Sequence, residues 1–127
     1  MLKKIMFATV TSVFLLLSAA VYADPVTIVY SCKLNDGSTK KDAMEINARW
    51  LKWARETGGS DEITSSYVTT VVGNFDGFMW VDTYPDIATW GKIVDDDAGS
   101  DFDAEFDKVS TCSGNRMYRG EETMPAK

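Results

Sequence analysis

The chain contains two cysteines, Cys32 and Cys112, and no histidine. This pair constrains the fold more than any other feature of the sequence. The cysteines lie too far apart for a CxxC motif, and two thiols without an imidazole make a poor metal site. An even pair in an exported chain reads instead as a disulfide joining distant parts of the sequence. Residues 1–23 supply the export signal. Lys3 and Lys4 form a basic start, an apolar run extends from Ile5 to Val21, and Val21-Tyr22-Ala23 places small residues at the third and last positions before a cut. The rival reading, a retained membrane anchor, asks for ~20 apolar residues, more than the unbroken run provides. The sequence therefore predicts a signal peptide over 1–23, cleavage after Ala23, and a secreted or periplasmic protein of bacterial type. The remaining residues, 24–127, are of a length to make one domain.

Charge excludes several partners. Thirteen basic residues face 19 acidic ones, a net charge of −6, and loss of Lys3 and Lys4 with the leader makes the balance more acidic. Such a surface repels nucleic acid and anionic lipid, and no basic cluster offsets it. DNA, RNA and, after signal cleavage, membrane are therefore not expected as partners.

The alternation and spacing of apolar residues predict the elements. Val26–Leu34 is rich in β-branched residues and reads as a strand. Asn35-Asp36-Gly37 marks a turn, and Ser38 or Thr39, the latter with Asp42 in a box-like arrangement, can cap a helix over Lys40–Thr57, closed by Gly58-Gly59. Strands follow over Ser65–Val72 and Phe78–Tyr84, the second stopped by Pro85. Asp86 caps a short helix carrying Ile87, Trp90, Ile93 and Val94. Ser100 is expected to cap another, with Phe102, Phe106 and Val109 on its apolar face. Asn115–Gly120 reads as the last strand. The order β-α-β-β-α-β is the split βαβ arrangement: an α+β, ferredoxin-like fold with a four-stranded antiparallel sheet and helices on one face. In that topology the first and last strands are antiparallel neighbours, which brings Cys32 and Cys112 to the same end of the sheet, within bridging reach.

Such a sheet has a second face to hide. Phe78, Trp80 and Tyr84 share one face of their strand, Met79 and Val81 the other, and Val29 opposes Val26, Ile28 and Tyr30 in the first strand. Apolar residues on both faces predict that two copies pair sheet to sheet as a homodimer.

With that pattern, the chain resembles the dimeric α+β barrel superfamily, in which two ferredoxin-like subunits pack sheet against sheet. The segments Asn47-Ala48-Arg49-Trp50, Phe78–Pro85 and Cys112–Tyr118 are also similar to those of small secreted bacterial proteins of unknown function. The superfamily includes cofactor-free monooxygenases, haem-degrading enzymes, isomerases and decarboxylases, so resemblance leaves activity open. Its haem-degrading branch uses an axial histidine, which this chain lacks. The cofactor-free oxygenases surround an aromatic substrate with Asn, Trp, Tyr and Arg, and Asn47, Trp50, Trp80 and Arg116 are residues of those types.

The residues themselves offer three candidate sites. Tyr30, Tyr67, Trp80 and Tyr84 can line a pocket that stacks a planar ligand, or can serve as core and dimer contacts. Asp82 alternates with Trp80 and Tyr84 on an otherwise apolar strand, where burial would raise its pKa and suit it to act as a general base. The bland alternative for Asp82 is an ion pair with Arg116 or Arg119. Asp95-Asp96-Asp97 with Asp101, Asp103, Glu105 and Asp107 invites a calcium reading, but the spacing departs from an EF-hand loop, and a solvated acidic loop feeding a helix N-terminus accounts for it. No metal site, phosphate loop or other cofactor site is predicted. The sequence thus points to an exported, disulfide-bonded homodimer that binds a small apolar or aromatic ligand or a protein partner through its second sheet face. The alternative is a cofactor-independent monooxygenase- or isomerase-like enzyme using Asp82, Asn47 and Arg116. Whether the chain is an enzyme stays open at this point.

Overall fold

A computed structural model describes residues 24–121 and 123–126. The predicted signal peptide lies outside the described residues. Strand β1 (Val26–Leu34) leads to helix α1 (Lys40–Gly58), strands β2 (Thr64–Thr69) and β3 (Phe78–Tyr84), helices α2 (Ile87–Val94) and α3 (Gly99–Val109), and strand β4 (Ser110–Arg119). The sheet order is β2-β3-β1-β4, antiparallel throughout. The architecture is α+β and ferredoxin-like, as the pattern of elements predicts.

Local chemistry sets most of the boundaries. The Thr39 hydroxyl accepts from the Asp42 N–H, while the Asp42 carboxylate accepts from the Thr39 N–H, completing the expected capping box at α1. At the other end Gly59 adopts φ 69°, and its N–H returns to the Arg55 carbonyl. The Asp86 carboxylate caps α2 by accepting from the Thr89 N–H at 2.6 Å.

The sequence reading differs from the structure in three places. β2 ends at Thr69, three residues before Val72, because β3 supplies no partner beyond Phe78; Val71 and Val72 are left exposed. Ser100 does not cap α3. The helix starts one residue earlier, and the Ser100 hydroxyl donates back to the Asp97 carbonyl. β4 begins at Ser110, directly after α3, so Cys112 lies within the strand.

The even-numbered residues of β1 and β3 face the helices. Val26, Ile28 and Tyr84 pack with Ala54 of α1 and Ile93 of α2, and with Ile63 just ahead of β2. Cys32, Phe78 and Trp80 form a second cluster with Ala43, against which Phe106 of α3 packs. Burying side chains of this size contributes about 1.5–3 kcal/mol each. The Cys32–Cys112 disulfide is formed. A register shift between Ser31 and Cys32 makes it possible: β4 carries one extra residue there, Ser113, which turns Cys112 onto the same face as Cys32. On the opposite face Val29 pairs with Val81, and Val68 with Met79, all half-buried. Among the described residues, every helix with a core contact packs on the first face.

Candidate functional site

Between the sheet and the helices α1 and α3 lies a cavity of about 380 Å³. β3 contributes Trp80 and Asp82, β1 contributes Tyr30, α1 contributes Asn47 and Trp50, and α3 contributes Asp103, Phe106 and Asp107; Cys112 of the disulfide completes the wall. The strand alternation that buries Phe78 and Tyr84 also buries the Asp82 side chain, leaving the residue 5 % exposed.

The Asp82 carboxyl is held by a short chain of hydrogen bonds. Asn47 Nδ2 donates to Ser65 Oγ at 3.0 Å, and Ser65 Oγ donates in turn to Asp82 Oδ1. The same hydroxyl lies 3.2 Å from Asn47 Oδ1, so its single proton has two acceptors in reach. A charged carboxylate is the stronger of the two. Burial pushes the Asp82 pKa up to about 7, against the opposing pull of the Ser65 hydrogen bond. Tyr30 is pushed up to about 12 by burial and then by the nearby Asp82 and Asp103. Tyr84 is raised still further by burial, with smaller contributions from Asp82 and Tyr30. Asp103 is raised by burial and by repulsion from Asp107. The Trp80 indole N–H is buried and has no hydrogen-bond partner among the described residues. A donor left in that state costs about 1–3 kcal/mol.

The structure brings together Asp82, Asn47, Trp80 and Tyr30 from among the residues that the sequence singles out. Tyr84 lines an adjoining cavity of about 350 Å³, which shares Tyr30, Trp50 and Asp103 with the first. Tyr67 lines neither. Its ring stacks on Phe78 at 4.2 Å and meets the edge of Trp80 at 5.2 Å, under the Lys40 ammonium. Arg116 is separated from the rest: it pairs with Val29 and lines a shallow hollow on the other sheet face with Met79 and Tyr118. Among the described residues the alternative reading of Asp82 as the partner of Arg116 or Arg119 is not met, Arg119 lying 3.9 Å from Asp24, and within this subunit Arg116 cannot reach a molecule bound beside Asp82. The expected placing of an aromatic ligand groove on the second sheet face is also corrected, because Tyr30, Tyr67, Trp80 and Tyr84 all point to the helix side.

Ser65, Asp103, Phe106 and Asp107 are the site residues that sequence reasoning did not assign. Ser65 gave a usable signal: it shares the parity of Tyr67 in its strand and so faces the helices. Among the described residues, no three His, Cys, Asp or Glu side chains are grouped so as to hold a metal ion. In the acidic loop, Asp96 accepts from the Ala98 N–H at 2.9 Å, a turn-forming role.

The sequence matches no protein-family model and no curated protein. Solved structures do resemble the fold. SnoaB, a cofactor-independent oxygenase from Streptomyces nogalater, superposes with a TM-score of 0.61 at 11% identity, over 82% of this chain and 100% of its own. A hydroxynitrile lyase from Passiflora edulis gives 0.54 at 18% identity, over 82% and 99%. At3g17210 from Arabidopsis thaliana gives 0.57 at 8% identity, over 81% and 99%. The chain has a ferredoxin-like fold. At these identities the likeness is one of fold.

Proposed function

We propose that the chain is an exported, homodimeric protein that binds a small aromatic or apolar molecule in the cavity between its sheet and helices α1 and α3. The observation that carries this reading is the convergence of aromatic rings and two buried polar side chains, Asp82 and Asn47, on one concave space. Export is supported by the leader-like start and by the disulfide, a bond that persists in oxidising compartments. Pairing is supported by the second sheet face, where Val29, Val68, Met79 and Val81 lie half-buried with no helix over them among the described residues. Native mass spectrometry of the protein purified from its own host tests both parts. Twice the subunit mass is expected, with one retained small molecule per subunit. A bare monomer, together with no NMR shift at Asp82 or Phe106 on adding a panel of aromatic compounds, overturns the reading.

A second reading, cofactor-independent proton-transfer catalysis, is favoured by the Asn47–Ser65–Asp82 chain. A carboxyl that titrates near neutrality can take a proton from a bound substrate and return it elsewhere, with Ser65 and Asn47 holding its orientation. The names of two proteins of similar fold, an oxygenase without a cofactor and a hydroxynitrile lyase, agree with such chemistry. Carboxyl-carbon NMR is expected to give an Asp82 midpoint near 7. A midpoint in the ordinary aspartate range removes the case for a base.

A further inference from the structure

The composition of the cavity wall says more about the ligand than its size does. Three carboxyl groups, Asp82, Asp103 and Asp107, reach the wall, and among the described residues no lysine or arginine does. The adjoining cavity repeats the pattern: Asp96 and Asp97 join Asp103, again without a basic residue. Other concavities of the same protein are different. One on the outer side of α1 includes Lys52 and Arg55, and the hollow on the far sheet face includes Arg116. The absence of cations is therefore particular to this groove. Nearby basic groups are engaged elsewhere: the Arg49 guanidinium is bound by Glu105, and Arg55 Nε donates to the Ile63 carbonyl.

Between the carboxyl groups stand the faces and edges of aromatic rings: Tyr30, Trp50, Trp80 and Phe106 in the first cavity, with Trp53 and Trp90 in the second. Aromatic faces attract a cation through their quadrupole, and the attraction strengthens as water is excluded. One polar atom of the wall is unmatched: of the two Asp82 oxygens, only Oδ1 is engaged by a described residue. A free carboxyl oxygen, nearly buried, calls for a donor.

We infer that the groove selects an organic cation, an ammonium group joined to an aromatic body, with the ammonium beside Asp82 and Asp103 and the body against Trp50, Trp80 and Phe106. A bare metal ion fits less well, since no three carboxyl groups are grouped as ligands. An anionic ligand would meet uncompensated negative charge. This inference rests on the cavity being a ligand site, and it adds the charge of the ligand to that reading.

Three probes of one shape separate the two. The intact, disulfide-bonded protein is titrated by calorimetry at about pH 8 with 2-phenylethylamine, 2-phenylethanol and 3-phenylpropionate, charged positive, neutral and negative. The amine is expected to bind about tenfold more tightly than the alcohol, with the carboxylate weakest. In an Asp103→Asn/Asp107→Asn variant, altered only at exposed positions of α3, the ratio of amine to alcohol affinity is expected to fall about threefold. Equal binding of amine and alcohol, or tightest binding of the carboxylate, overturns the charge inference and leaves the ligand site standing. A preference undiminished in the double variant overturns the placing of the ammonium. Binding of none of the three overturns this inference along with the ligand site itself.

Discussion

Asp82→Asn is expected to stabilise the protein by roughly 3–4 kcal/mol above about pH 8 and to change it little near pH 4. The unfolded carboxyl ionises at its ordinary value of 3.8, whereas burial raises the folded one to about 7. Between those values the folded state holds a proton that the unfolded chain has released. Stability therefore falls as pH rises through that window, and above it the deficit is constant. Below 3.8 both states are protonated and the group contributes no pH dependence. Asparagine keeps the shape, never ionises, and its Oδ1 can still accept from Ser65 Oγ. Urea unfolding of both proteins from about pH 4 to pH 9 checks this: the gap between them should open across the window and then stay flat. A gap that does not vary with pH would mean that Asp82 titrates alike in the folded and unfolded chains. The same substitution removes the proton acceptor, so gained stability with lost turnover would mark a residue kept for chemistry at a cost to the fold.

Breaking the disulfide is expected to cost still more. Cys32→Ala/Cys112→Ala, or reduction, should lower stability by ~4–5 kcal/mol and the midpoint of thermal unfolding by roughly 20 °C or more. The bond closes a loop with a sequence separation of 80, which restricts the unfolded chain severely. β4 also has little else to hold it. It is an edge strand, only Ser110 of its ten residues is buried, and Gly114 and Asn115 are poor strand formers. Calorimetry with and without a reductant measures the effect. A loss below about 1 kcal/mol would show that the β1–β4 ladder suffices without the bond.

These two residues also mark what could be read from the sequence. Where the signal is local, the reading agrees with the structure. The β-branched run of β1, the Thr39–Asp42 capping box, the Asp86 cap and the alternation in β3 all act within a few residues of themselves. Asp82 stood out for the same reason, as the polar member of an alternating apolar strand. The Ser100 cap is a local failure, its hydroxyl turning back to Asp97; the others involve partners distant in sequence. Val71 and Val72 have strand character but no strand opposite them. Ser110 to Gly114 have little strand character, yet all but Ser113 pair with β1, fastened by Cys112. The cavity was half legible: Tyr30, Asn47, Trp80 and Asp82 have the expected residue types, whereas Asp103 and Asp107 belong to it only because Phe102 docks on Trp53 and Phe106 on Trp80, which lays α3 across the sheet. Arg116 had the right chemistry on the wrong parity. One step along β4 decides which side of the sheet a residue faces, and the extra residue at Ser113 makes that step hard to count.

The direct junction of α3 and β4 limits how the groove can open. Val109 is the last residue of the helix and Ser110 the first of the strand, and Cys112, two positions on, is bonded to β1. The helix end beside Phe106 and Asp107 therefore has no slack. Only the opposite end, fed by the loop of residues 95–98, has chain to give. A guest wider than the groove would therefore displace the end fed by residues 95–98 before the end tied to β1 through Cys112.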